Sequence, residues 1–191
     1  IMLFAPYGVF ALVCDTFSSV GQDAILVLIK YIAVVLLGMG IHITCVYGGM
    51  FKLFTKEKIM PFLKKFTSVA AITFSTASSN ASVPASMEIL EELGVGKTTR
   101  SFTIPMGATI NMDGTAIMQG VAALFIAQIY GIDLSINQMI TIILTATLAS
   151  IGTAGVPSVG LVTLSMVLAS VGLPIEGIAL IMGIDRILDM M

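Results

Sequence analysis

Of 191 residues, 57% are apolar and only 10% are charged, with a mean hydropathy of +1.05, whereas soluble domains carry about 25% charged residues. Lipid is therefore the expected solvent, and the useful count is of spans, each needing about 20 apolar residues. The net charge of -2 says nothing about partners, because in a membrane protein what matters is where the Lys and Arg residues lie; a nucleic-acid partner is not expected.

In chain order, residues 1–51 read as two transmembrane helices, a scaffold-type helix within 1–20 (apolar from 4) and a second over 24–51. Cys14 and Cys45 sit in these apolar stretches without CxxC or metal spacing, so packing is their expected role. Lys30 and His42 interrupt the second helix; Lys30 can snorkel to an interface and His42 reads as an interior histidine. The chain opens at Ile1 without a signal peptide's basic segment and stops at Met191 inside an apolar run, so it reads as part of a longer protein.

Residues 52–191 are expected to form a second unit. Phe62–Phe74 leads into the small polar stretch Ser75-Thr-Ala-Ser-Ser-Asn-Ala-Ser-Val-Pro84 and then Ala85–Leu93, a helical hairpin over 62–93. A transmembrane helix follows over 101–130. From Leu134 to Ile175 there are 42 residues without a charge, interrupted by Ser150-Ile-Gly-Thr-Ala-Gly-Val-Pro-Ser-Val-Gly160. The flanking 14 and 13 residues reach only about 20 Å of a roughly 30 Å core, so 136–173 reads as a second re-entrant hairpin. Broken backbone at membrane depth must line protein or a watery cavity. The start of a last helix occupies 175–191.

Lys52, Lys56, Lys58, Lys64 and Lys65 precede the first hairpin and Lys97 and Arg100 follow it, placing its ends in the cytoplasm; no Lys or Arg flanks the second, near Asp133 and Glu176. Each tip has a Val-Pro pair, Pro84 and Pro157, followed after 29 and 28 residues by Asp113 and Asp185. The expected fold class is thus an all-α membrane protein with two oppositely oriented re-entrant hairpins in an inverted repeat, a pattern that points to a midplane site in secondary transporters.

Chemistry concentrates in the tips and the helices after them. Asp113 lies among Thr109, Asn111 and Thr115, with Gly107 and Gly114 loosening the helix. A carboxylate at membrane depth costs about 2.5–3.5 kcal/mol, and hard cations suit the oxygens around it. Asp185 and Asp189, four apart, share a face of the last helix with Arg186 beside the first. A buried Asp suits a substrate ammonium and open helix N-termini suit a carboxylate. The segment Gly94-Val-Gly-Lys-Thr98 imitates a phosphate loop, but Glu91 stands where its first glycine is needed.

Asn111-Met-Asp-Gly-Thr115, the serine-rich tip 75–84, Ser150-Ile-Gly-Thr-Ala-Gly-Val-Pro157 and Gly183-Ile-Asp-Arg-Ile-Leu-Asp189 together resemble the dicarboxylate/amino acid:cation symporter family, which includes the glutamate transporters; the similarity spans the chain. The resemblance implies a homotrimer whose transport domains slide, elevator-like, against a fixed scaffold, with the second hairpin as outer gate. It implies substrate contacts from Ser78, Ser79, Met112, Thr115, Gly155, Val156, Gly160 and Asp189, with Asp189 taking the amino group. Asp185 would join the substrate site by orienting an arginine in the turn beyond Met191. Cation sites would use Gly107 with Asn111, then Thr109, Ser150, Ile151 and Thr153, and finally Asn111 with Asp113. Some relatives carry an extra arginine where this chain has Ala77 or Met190, and Arg186, one turn before Met190, is expected to substitute for it in part.

The expected function is cation-coupled symport of an amino acid or dicarboxylate in a bacterial or archaeal inner membrane. Na⁺ or H⁺ would be co-transported cargo, no cofactor is needed, and no enzymatic activity is expected. A channel of paired half-helices is the alternative, disfavoured because no Asn-Pro-Ala pair occurs and buried acids would obstruct selective water flow. An intramembrane aspartyl protease lacks its Gly-x-Gly-Asp signature.

Overall fold

A computed structural model describes residues 23–56 and 58–191. The first expected helix, with Cys14, lies outside them. The described residues form helices and connecting loops, with no strand among them. In order they are α1 (Asp23–Ile41), a π-helical turn (His42–Tyr47), α2 (Gly48–Phe54), α3 (Ile59–Thr76), α4 (Ser79–Glu92), α5 (Lys97–Ile110), α6 (Asp113–Ile129), α7 (Ile136–Ile151), α8 (Val159–Ser170), a 3₁₀ turn (Ile175–Gly177) and α9 (Ile178–Asp189).

Three expectations need revision. The span expected over 24–51 runs on to Phe54, with a π turn inserted. The helix expected over 101–130 starts four residues earlier and is broken at Asn111 and Met112, which leave helical geometry. The serine-rich stretch 75–84 is mostly helix: only Ala77 and Ser78 separate α3 from α4, and Pro84 lies inside α4. Local capping explains the last difference. Ala77 adopts a left-handed conformation, and the Ser78 hydroxyl accepts from the Ala81 amide at 3.3 Å, satisfying one of the free amides at a helix start.

The second pair follows its expectation more closely, with a seven-residue tip between α7 and α8. Ser135 and Gln138 form a reciprocal capping box at the start of α7. The Gln138 amide also donates to the Val171 carbonyl at 3.3 Å, tying the beginning of α7 to the end of α8. Gly172, left-handed at φ 72°, closes α8 through Leu173 N to Leu168 O and Gly172 N to Ala169 O.

α6 is the hub. Its Met118, Ala122, Ala123 and Ile126 are buried against Tyr31 and Val35 of α1, Ile142 of α7, Leu164 and Leu168 of α8, and Ile181 of α9. The alanines allow close helix approach, as interfaces between helices in lipid require. The outer faces are apolar: Ile136, Ile140, Ile143, Leu144 and Leu148 of α7 are exposed on one side. Two stretches, Leu26–Phe54 and Lys97–Ile129, are long and apolar enough to cross a membrane.

Candidate functional site

The two tips and the break between α5 and α6 converge. Gly155, in the tip after α7, accepts from the Ser78 hydroxyl at 2.7 Å and from the Asn80 amide at 3.2 Å. A side chain on Gly155 would meet the Ala108 carbonyl oxygen at 3.0 Å and Ser79 Cβ at 3.1 Å, so an added methyl would press these neighbours slightly apart. Between them opens a cavity of about 190 Å³. That is below the roughly 300–1,000 Å³ of sites for drug-sized ligands, and suits a small metabolite.

Eight of the nine residues expected at substrate line this cavity: Ser78, Ser79, Met112, Thr115, Gly155, Val156, Gly160 and Asp189. The N-termini of α4 and α8 both adjoin it, presenting amides and the positive ends of helix dipoles. Asp189 already uses one such amide, accepting from Ser158 N at 2.5 Å. Asp185, the ninth, does not line the cavity. It is buried in the core, and neither carboxylate oxygen has a partner among the described residues; the Tyr31 hydroxyl is buried and unpartnered too. Buried charge in this state calls for a cation or a donor.

The expected cation ligands divide. Asn111 and Asp113 stand together at the helix break, where the α5 carboxy-terminal end offers carbonyls and its dipole favours a cation. Gly107 is one turn back, its carbonyl accepting from the Asn111 amide at 3.0 Å. Thr109 is exposed and donates to Pro105 O at 3.3 Å. Ser150 and Thr153 are buried at the end of α7, their hydroxyls donating to Thr147 O and Ala149 O, while the Ile151 side chain is exposed. Gly155 brings the tip after α7 close to Ala108 in the last turn of α5, so the negative end of that helix faces the tip.

Sequence reasoning missed three side chains. Tyr47 donates to Asp113 Oδ2 at 2.5 Å and accepts from Asn111 Nδ2 at 3.0 Å. His42 Nε2 lies 3.2 Å from the same Asp113 oxygen; its place in an apolar helix was noted, but not its partner. Gln119, wholly buried, donates to Gly160 O at 3.0 Å and to Thr163 Oγ1 at 2.6 Å, fastening α8 to α6. A buried glutamine in an apolar helix was the available signal for it.

An all-helical, lipid-suited chain with a small polar cavity between broken helices is the class of a membrane transporter. The model of the sodium:dicarboxylate symporter family matches residues 1–191, and the chain belongs to that family. It is 45% identical over 190 residues to a proton/sodium-glutamate symport protein of Bacillus caldotenax, covering 100% of this chain and 45% of that protein. It is 43% identical over 192 residues to an excitatory amino acid transporter of Caenorhabditis elegans (99% and 38% covered). It is 41% identical over 192 residues to the neutral amino acid transporter B(0) of Mus musculus (99% and 35%). These relatives are transporters by name rather than enzymes, and the chain spans less than half the length of each.

Proposed function

We propose that this chain forms the substrate-binding portion of a secondary active symporter that couples uptake of an amino acid or dicarboxylate to a Na⁺ or H⁺ gradient. The observation that carries the reading is the small cavity that gathers both tips, the α5–α6 break and Asp189. Relatives named for proton/sodium-glutamate symport and for amino acid transport support the same class of cargo.

In this reading α3–α4 and α7–α8 are re-entrant hairpins of an inverted repeat. Their lengths support it: α7 and α8 have 16 and 12 residues, about 24 and 18 Å, short of a roughly 30 Å core. The contact of Ser78 with Gly155 suits two hairpins that enter from opposite faces and meet tip to tip. Ser78, Ser79, Met112, Thr115, Gly155, Val156 and Gly160 contact substrate, and Asp189 holds its ammonium. Asp185 orients a basic group from outside the described contacts, which its unpartnered oxygens favour. Cations bind at Gly107 with Asn111, at Thr109 with Ser150, Ile151 and Thr153, and at Asn111 with Asp113. Cation binding orders the second tip and substrate lets it close, each ligand raising the other's affinity by the same factor. Residues 52–191 form the core of a transport domain that moves in an elevator mechanism, within a homotrimer of a bacterial or archaeal inner membrane.

Proteoliposomes provide the test, through uptake of labelled aspartate, glutamate, succinate and serine with and without imposed Na⁺ and pH gradients. Accumulation above the external concentration that requires one gradient is expected. Flux that only equilibrates would instead indicate a channel and defeat the proposal.

A further inference from the structure

His42 and Tyr47 are five residues apart, and on a regular α-helix their side chains would point about 140° away from each other. Here the helix widens into a π turn over these six residues. Their rings meet edge to face, with centroids 4.9 Å apart, and both reach Asp113 Oδ2, at 3.2 and 2.5 Å. Among the described residues, this is the only π-helical segment. Such turns are rare and cluster at functional sites.

A carboxylate oxygen only accepts, so the Tyr47 hydroxyl and the His42 Nε2–H both donate, using the two lone pairs of Oδ2. The phenol oxygen of Tyr47 in turn accepts from Asn111 Nδ2. That bond determines which way the Asn111 amide faces, because its nitrogen is committed and its carbonyl oxygen is not. Four side chains, two from the π turn and two from the α5–α6 break, are therefore joined, with Asp113 Oδ1 and the Asn111 carbonyl left over.

Resting on the proposed cation site at Asn111 and Asp113, we propose that the π turn is its positioning device. Tyr47 and His42 hold the two ligands so that Asp113 Oδ1 and the Asn111 carbonyl oxygen are presented to Na⁺. Neither Tyr47 nor His42 touches the ion. Both act through hydrogen bonds to its ligands, a kind of support whose loss lowers metal affinity about 10–100-fold.

Na⁺-driven uptake in proteoliposomes containing wild type, Tyr47→Phe, His42→Leu and His42→Gln tests this, measured against external Na⁺ and then against substrate at saturating Na⁺. Tyr47→Phe keeps the ring and removes only the hydroxyl. The half-saturating Na⁺ concentration is expected to rise about 10-fold in Tyr47→Phe and His42→Leu, with the substrate KM at saturating Na⁺ unchanged. His42→Gln keeps an N–H donor and should restore the wild-type value. An unchanged or lowered Na⁺ requirement in Tyr47→Phe overturns the proposal, as does a matching rise in substrate KM, which marks general packing damage. Calorimetric Na⁺ titration of the purified proteins makes the same comparison without transport. A wild type that binds Na⁺ but does not accumulate substrate therefore defeats the transport reading alone, leaving the binding shift to decide this one; no Na⁺ binding defeats this proposal alone, leaving H⁺-driven uptake to decide the transport reading.

Discussion

The α3–α4 and α7–α8 pairs face each other across the cavity, yet they are held in different ways. α3 and α4 turn on two residues and bury few side chains, among them Val69, Ser82, Ser86 and Ile89. Lys65 of α3 pairs with Glu92 of α4 at 3.7 Å, and Glu91 of α4 pairs with Arg100 of α5 at 2.7 Å. α7 and α8 pack into the core around α6 but are joined by seven residues, 152–158. The short tip is set by its own turn and by the Ser78 cap. The long one depends on neighbours, through Gly155 against Ser78 and Ala108 and through Ser158 on Asp189. A tip whose shape depends on contacts across the cavity is the one that ligands placed there can bias.

Substitutions can break or sharpen this contrast. The largest expected effect is in the core of the second pair. Leu164→Ala, at a fully buried position, should destabilise the protein by about 2 kcal/mol or slightly more, near the low end for such cavities because lipid reduces the transfer part. Leu63→Ala on α3, where the side chain is 47% exposed, should cost under about 0.5 kcal/mol. Thermal unfolding in detergent checks both, and equal losses would erase the contrast. Next comes Gly155→Ala, which places a methyl 3.0 Å from the Ala108 carbonyl oxygen. Overpacking of about 1–3 kcal/mol should lower the unfolding temperature in detergent, and where the tip relaxes away from Ala108 instead, the same cost should appear as a rise in substrate KM of up to roughly 150-fold. Smallest is Ser78→Ala, which removes both the α4 cap and the bond to Gly155. A loss of about 1 kcal/mol of stability, read as a small drop in unfolding temperature in detergent, is expected.

What could be read without the structure was local in origin. Apolar runs long enough for lipid, the charge-free stretch from Leu134 to Ile175 and the glycines around Pro157 announced helices and a broken pair, because span length and backbone freedom depend on neighbours in sequence. The residues expected at substrate came from motifs, and eight of the nine line one cavity. The stretch 75–84 misled for the same local reason. Six small residues and a proline read as a break, but one serine cap and a single left-handed residue suffice to turn the chain.

Tertiary structure alone decided who meets Asp113 and who leaves Asp185 unpartnered. Tyr47 and His42 lie 66 and 71 positions from Asp113 in the chain, and no periodicity reports a π turn that rotates both onto one carboxylate. The composition chose the solvent and the helices. Contacts made only when α1, α6 and the two tips pack together chose which polar groups are satisfied, because in lipid every such group must find its partner inside the protein.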